Sequence, residues 1–202
     1  MFSAEEKYKN PFLSVYVPLI AFVAIFSISI IDINFFINVL EGEHGVIENL
    51  QVLFLFIAAI YTFKTFRRFY DPSEKWIRKY IGLLFCAFTF VLLEEISWGQ
   101  TYFQWATPEW YAGINKQGET NFHNSSSWLN FKPRAIVETL ILFFGIVYPF
   151  IRGKKMDRTN WEKWIMPTLF SMPAAFLAFV VKIIDWYVNT LDQYLPGIEK
   201  IR

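Results

Sequence analysis

Five long apolar segments constrain this chain more than any other feature. A helix rises 1.5 Å per residue, so about 20 apolar residues cross a hydrocarbon core of roughly 30 Å. The chain has 202 residues, of which 54% are hydrophobic, and holds more continuous apolar sequence than a soluble core needs. The segments lie near 11–33, 45–63, 77–97, 135–151 and 165–187. The sequence therefore predicts an all-α polytopic membrane helix bundle of about five transmembrane helices.

The connecting segments predict an orientation. Residues 64–79 and 152–163 carry an excess of Lys and Arg, whereas 32–45 contains three acidic residues and no Lys or Arg. Because basic loops stay on the cytoplasmic side, we expect the N-terminus inside and the C-terminus outside. The first segment is longer than a signal-peptide core, and we interpret it as a retained anchor. Residues 1–202 are predicted to form a single integral membrane domain, with an outer-side segment at 94–134 that carries part of the site.

The net charge and the absence of certain motifs exclude two classes of partner. The formal net charge is +1, and the chain has no basic tract with interleaved aromatics and no Gly-rich phosphate loop. We therefore expect no nucleic-acid and no nucleotide partner. The expected partners are membrane lipid and, as a possibility left open, a second copy of the chain or another protein.

Charged side chains recur at one depth of the predicted spans. Counted from the inner end of each helix, Glu94 lies about 21 Å up, Glu48 about 22 Å and Glu138 about 20 Å. A charge at that depth costs a few kcal/mol against lipid, so these groups should face the bundle interior and pair or line a wet cavity. The predicted polar layer consists of Glu48, Glu94, Glu95, Arg134, Glu138, Lys182 and Asp185.

A structural explanation covers part of this layer. Arg134 and Glu138 are four residues apart, and Lys182 and Asp185 are three apart, so each pair could neutralise itself within its helix. If the predicted ends of the spans are wrong by one helical turn, some of these groups lie in the membrane interface instead. Neither pair accounts for the remaining glutamates, and the excess acid needs a proton, a metal ion or a cationic group.

Glu94 and Glu95 are adjacent, and neighbours on a helix diverge by about 100°. We expect one of these carboxylates to take part in the reaction and the other to pair with a neighbouring group. A helix that continues through Trp98, which no breaker before Gly99 prevents, would stack Glu94 with Ser97 and Trp98, and Glu95 with Trp98 and Gly99. The sequence does not choose between the two carboxylates.

The two histidines suggest a metal or a general base. His44 precedes Glu48 by one helical turn, a spacing that two metal ligands can share, although a loop histidine is the plainer interpretation. His123 lies beside Asn121 and Asn124, whose amides can orient an imidazole. One divalent metal ion of unknown identity is a possible cofactor. Its predicted ligands are Glu48, Glu94, His123 and His44.

Three sequence blocks carry a resemblance. They are EGEHGVIENLQ (41–51), EEISWGQTYFQWATPEW (94–110) and NKQGETNFHN (115–124). They resemble the signature blocks of a family of small bacterial polytopic membrane proteins of unassigned function. The resemblance implies a multi-pass protein of the bacterial inner membrane and brings no activity with it. The motif positions it emphasises are Glu48, Glu94, Glu95, Gln100, Asn115, Gln117, Glu119, Asn121, His123 and Asn124.

Three functions stay open at this stage. The first is a membrane-embedded hydrolase or transferase acting on a lipid or lipid-linked substrate near the outer leaflet. Its chemistry would use a metal-activated water, or a carboxylate that desolvation keeps protonated. The second is a non-catalytic scaffold, sensor or anchor for a protein partner, and the third an oligomeric proton or ion pathway. The predicted catalytic residues are Glu94, Glu95, His123 and Glu48, and the predicted substrate-binding residues are Arg134, Lys182, Gln100, Asn121 and Asn124.

Overall fold

The chain folds into helices joined by turns and irregular segments. The computed structural model describes residues 12–41, 45–69, 74–115, 118–152, 166–167 and 169–194. No β-strand occurs among these described residues, which confirms the predicted all-α class. The chain divides into two compact units, one made of Met1–Leu40 with Val137–Arg202 and the other of Glu41–Ile136.

The first unit begins with an uncharged helix. Helix α1 (Val17–Ile31) follows a π-helical turn at Phe12–Tyr16. Pro18 lies in the first turn of α1, where its missing N–H breaks no helical hydrogen bond. Asp32 ends α1 and caps the next turn, because its Oδ1 accepts a hydrogen bond of 2.9 Å from the N–H of Phe35.

The second unit is organised around two antiparallel helices, α2 (Val46–Arg68) and α3 (Lys75–Glu95). Phe63 lies 5.1 Å from Phe85 between ring centroids, and Arg78 lies 5.0 Å from the Phe66 ring. Gly82 permits this approach, since a Cβ there would come within 3.1 Å of Phe66. These contacts hold the end of α2 against the first half of α3.

Two further helices follow the second unit's irregular segment. Helix α4 (Ser127–Leu142) leads through a π-helical turn at Phe143–Val147 into Tyr148–Arg152, and α5 (Met172–Tyr194) comes last. Gly145 contacts α5 closely, since a Cβ on it would lie 2.6 Å from the Ala175 Cβ. This is the small-residue packing by which apolar helices approach without a large side chain between them.

Two stretches are long and apolar enough to cross a membrane. Among the described residues they are Lys75–Glu95 and Ile33–Arg68, of which the second includes α2 together with residues 42–44 outside the described set. Three apolar helical stretches are shorter: Val17–Ile31, Ala135–Ile151 and Leu169–Ile184. Every predicted span thus has a helix, but a five-span bundle is not confirmed, and the inside-out orientation stays a prediction.

The apolar side chains of α2 and α3 are largely exposed. Phe54, Tyr61 and Leu83 keep 64%, 66% and 67% of their surface, whereas only Ala59, Ile77 and Ile81 are buried apolar residues on these two helices. A soluble monomer rarely exposes so much contiguous apolar surface. Exposed apolar faces on helices of spanning length favour association with a membrane.

Candidate functional site

The chain reverses direction directly after α3. The φ angles of Ser97, Trp98 and Gly99 are 47°, 59° and 104°, so three consecutive residues are left-handed. Only glycine adopts such angles freely, and each of the other residues costs about 1–3 kcal/mol unless its surroundings hold it there. A helix continuing through Trp98 is therefore wrong, because α3 ends at Glu95.

Contacts with a distant part of the chain hold this turn. Ser97 Oγ donates a hydrogen bond of 2.7 Å to Glu119 Oε2, and Thr120 Oγ1 donates one of 2.7 Å to the Ser97 carbonyl. Asn121 Nδ2 also donates to Ser97 Oγ, at 3.0 Å. The strained turn and residues 118–123 therefore support each other, which explains why the local helical pattern stops where it does.

Glu94 is the buried carboxylate of the site, with 6% of its surface exposed. Its Oε1 accepts a hydrogen bond of 2.6 Å from Trp98 Nε1. Its Oε2 accepts hydrogen bonds of 2.8 and 3.0 Å from the backbone N–H groups of Phe122 and His123. Three donors compensate the carboxylate for its lost hydration. The Glu94 carboxylate therefore holds residues 122–123 against the end of α3 by hydrogen bonds.

The His123 ring is placed by the same carboxylate. Its Nδ1 lies 3.4 Å from Glu94 Oε2, and 39% of the side chain is exposed. The tautomer with a proton on Nδ1 donates to Glu94 and leaves Nε2 as a proton acceptor. A carboxylate in this position orients an imidazole and stabilises the imidazolium that forms when Nε2 takes a proton.

Glu95 belongs to a different contact set from Glu94. It is half-buried, and the side chain of Gln51 on α2 lies close to its carboxyl group. His123, Glu48 and Glu94 all lie within electrostatic range of it. The structure thus brings three carboxylates and one imidazole together where the end of α3 meets the start of α2.

The amide residues predicted to bind substrate are engaged within the protein. Asn121 is 1% exposed, and its side-chain oxygen accepts a bond of 3.0 Å from Asn115 Nδ2. Asn115 Nδ2 and Tyr111 Oη also donate to the Asn121 carbonyl, at 2.8 and 2.6 Å. Asn121 and Asn115 therefore shape the loop that presents His123. Asn124 is half-buried in the same loop and also has interactions within the protein.

Gln100 ties together three parts of the outer segment. Its Oε1 accepts a bond of 2.8 Å from the Thr120 N–H, while its Nε2 donates to the Trp105 carbonyl at 2.9 Å and to Thr107 Oγ1 at 2.8 Å. Thr107 Oγ1 in turn donates to the Gly118 carbonyl at 2.5 Å. Gln100 uses both ends of its amide in these contacts, so its position supports a structural role.

The remaining predicted residues are placed elsewhere or lie outside the description. Lys182 belongs to the first unit, where its Nζ lies 3.2 Å from Glu138 Oε1 on α4. This contact joins two helices, which differs from both intrahelical pairs that the spacing suggested. His44 and Gln117 lie outside the described residues, as do the side chains of Arg134 and Asp185.

The described residues contain no group of three His, Cys, Asp or Glu side chains spaced to hold a metal ion. One of the predicted ligands, His44, is not among those residues. Glu94 already accepts three hydrogen bonds through its two oxygens, so a cation there would have to displace donors that fix the loop. The possible divalent ion stays a prediction.

Aromatic rings pack against Trp98, whose indole N–H donates to the Glu94 carboxylate. The Trp98 ring meets Phe90 and Phe122 edge-on, with centroids 6.1 and 6.0 Å apart, and Phe122 meets Tyr111 at 6.3 Å. The spacing of four residues between Glu94 and Trp98 indicated from the sequence that these two side chains could meet. No short-range pattern indicated the role of the Tyr111 hydroxyl, because it donates to the Asn121 carbonyl ten residues away.

Comparison of the chain with protein-family models, with curated proteins and with solved structures finds no match in any of the three.

Proposed function

We propose that the protein is a membrane-embedded hydrolase or transferase whose general base is His123. The observation that carries this proposal is the buried Glu94 carboxylate, which holds both the backbone and the ring of His123. Such a pair resembles the carboxylate and imidazole of nucleophilic hydrolases in geometry, though not in sequence. The accessible Nε2 edge of His123 is the proton acceptor.

The proposed reaction needs a water or alcohol that attacks an ester or phosphoester. His123 Nε2 takes the proton of the attacking hydroxyl as its oxygen bonds to the acyl carbon or phosphorus. Glu94 stabilises the imidazolium that results. Glu95, which lies beside His123 and holds a proton in this proposal, delivers that proton to the leaving oxygen as the bond breaks. The two adjacent glutamates therefore have different tasks in this proposal.

The proposed substrate is a lipid or a lipid-linked molecule. Support comes from the exposed apolar faces of α2 and α3 and from the half-exposed rings of Trp98 and Phe122 next to the carboxylates. In this proposal the acyl chain of the substrate packs on these apolar side chains, and its polar headgroup contacts His123. In this proposal the protein resides in the bacterial inner membrane as a multi-pass protein.

The test uses the full chain reconstituted in vesicles of total bacterial lipid extract. Mass spectrometry follows loss of each lipid and growth of its cleaved or transferred product. The parent is compared with His123→Ala and Glu95→Gln, and Glu109→Gln is the matched control because Glu109 is exposed and lies outside the carboxylate cluster. We expect turnover by the parent and the control and its loss in both site variants. Turnover by His123→Ala equal to that of the parent would refute the proposal.

The predicted divalent ion is tested on the same samples. Elemental analysis of chelator-free preparations compares the parent with His123→Ala and Glu48→Gln. A near-stoichiometric ion that both folded variants lose would replace His123 as base by a metal-activated water. Turnover without bound metal supports the carboxylate and imidazole mechanism proposed above.

A second candidate is a non-catalytic scaffold, which one observation favours. Asn115, Glu119, Asn121 and Gln100 make their hydrogen bonds within the protein, as residues that shape a surface for a partner would. A scaffold needs the loop's shape and not the proton acceptor. His123→Ala would then leave partner binding intact, whereas Asn121→Ala would abolish it.

A further inference from the structure

The short helices after the left-handed turn expose an unusual set of apolar side chains. Phe103 and Trp110 keep 78% and 75% of their surface, and three neighbours are also exposed. We call this set the aromatic platform. It consists of Tyr102, Phe103, Trp105, Trp110 and Ile114. Between Glu95 and Lys116 the chain carries a single charged residue, Glu109. Clusters of large exposed apolar side chains are typical of interaction surfaces.

The backbone behind the platform is fixed by polar side chains. Gln100 bonds the Trp105 carbonyl and Thr107 Oγ1, and Thr107 continues to the Gly118 carbonyl. The Gln104 N–H bonds the Gln100 carbonyl at 2.7 Å. These polar groups are engaged in hydrogen bonds within the loop, while the aromatic side chains of the platform stay exposed. The Phe103 and Trp105 rings stack with centroids 5.9 Å apart and planes 8° apart, so the two rings lie side by side.

Two features identify the kind of partner. First, the platform begins seven residues after α3, a helix long and apolar enough to span a membrane, and the last turns of α3 also expose Phe90 and Val91. Exposed apolar side chains on a candidate span are therefore followed closely in the sequence by those of the platform. Second, Trp and Tyr favour the boundary between headgroups and acyl chains, because each combines an apolar ring with a polar atom.

We propose that residues 102–114 lie in the membrane interface, with Phe103 and Trp110 inserted to the level of the upper acyl chains. The platform holds the carboxylate and His123 cluster at the headgroup boundary. This inference concerns how the chain contacts lipid, and it stands whether or not the cluster is catalytic.

The experiment measures lipid contact at single positions. Starting from a Cys86→Ala background, Phe103→Cys and Trp110→Cys are each labelled with a polarity-sensitive fluorophore and reconstituted in phosphatidylcholine and phosphatidylglycerol vesicles. Glu109→Cys is the matched control, because it is exposed in the same segment but carries the only charge there. Quenching by nitroxides on the upper acyl chain is compared with quenching by aqueous iodide.

We expect nitroxide quenching at positions 103 and 110 to exceed that at 109 several-fold, and iodide quenching to show the opposite order. Labels at 103 and 110 that respond like position 109 would overturn the proposal. So would labels shielded from both quenchers, since a protein surface would then cover the platform.

A second measurement avoids the added label. Brominated lipids quench the tryptophans of the unmodified protein, and Trp110→Phe removes one of them while keeping an aromatic ring. We expect the quenchable part of the fluorescence to fall in this variant. An unchanged quenchable part would place Trp110 away from lipid and overturn the proposal.

Discussion

Replacing Glu94 by glutamine tests whether this carboxylate anchors residues 122–123. The glutamine keeps the length of the side chain and one oxygen, but its second terminal atom becomes an N–H donor. Whichever way the amide turns, that donor faces either Trp98 Nε1 or the two backbone N–H groups that now bond Oε2. Glu94→Gln therefore removes at least one hydrogen bond to a charged acceptor and creates a donor-to-donor contact.

The magnitude follows from these bonds. A hydrogen bond to a charged group contributes about 1.5–3 kcal/mol, and RT ln 10 is about 1.4 kcal/mol, so local opening of the loop should become roughly 10- to 100-fold more frequent. The readout is amide hydrogen exchange at Phe122 and His123, measured by mass spectrometry on the protein in vesicles. Exchange should accelerate by that factor, while amides in the middle of α3 stay unchanged.

Glu95→Gln is the matched control, because it makes the same chemical change one residue away. The Glu95 carboxyl group lies near Gln51, whereas the backbone N–H groups of residues 122–123 hydrogen-bond Glu94. Exchange at Phe122 and His123 should therefore stay at the parental rate in Glu95→Gln. Parental exchange in Glu94→Gln, or equal acceleration in both variants, would refute the division of roles between the two glutamates.

Three further predictions address the turn and the orientation. Trp98→Phe removes the indole donor to the buried carboxylate but keeps an aromatic ring, so it should cost about 1.5–3 kcal/mol and accelerate the same exchange. Gly99→Ala, at φ 104° and with a Cβ 3.1 Å from a tryptophan ring, should destabilise the detergent-solubilised protein by about 1–3 kcal/mol in thermal unfolding. Gly113→Ala is its control, since a Cβ there meets only a carbonyl at 3.7 Å and no destabilisation is expected. In a cysteine-free background, an impermeant maleimide should label Glu109→Cys on intact spheroplasts and Lys75→Cys only after permeabilisation, and the reverse order would contradict the predicted orientation.

The helical class was predictable because it depends on local sequence. Long apolar runs with few breakers favour helices wherever they occur, and the predicted segments coincide with helices in the described residues. Membrane crossing is harder to predict, since it depends on the length of each uninterrupted helix. Within the first predicted segment, α1 has only 15 residues. It ends at Asp32, whose side chain caps the next turn.

The assignment of roles to Glu94 and Glu95 was not predictable for a physical reason. Helical periodicity places neighbours within three or four residues, but the donors to Glu94 Oε2 come from residues 28 and 29 positions later. The left-handed turn that allows this return is held by contacts 22 to 24 residues apart, from Ser97 to Glu119, Thr120 and Asn121. No short-range rule contains such contacts.

The division between the two glutamates also separates the enzyme from the scaffold. If Glu94 anchors the loop, its replacement disturbs both structure and function under either proposal, and so decides nothing between them. Glu95 is the informative residue, because Glu95→Gln should leave loop exchange unchanged. An enzyme that needs Glu95 as proton donor then loses turnover in a protein whose loop is intact, whereas a scaffold keeps its partner. Loss of turnover with parental exchange at Phe122 and His123 is an outcome that packing alone does not produce.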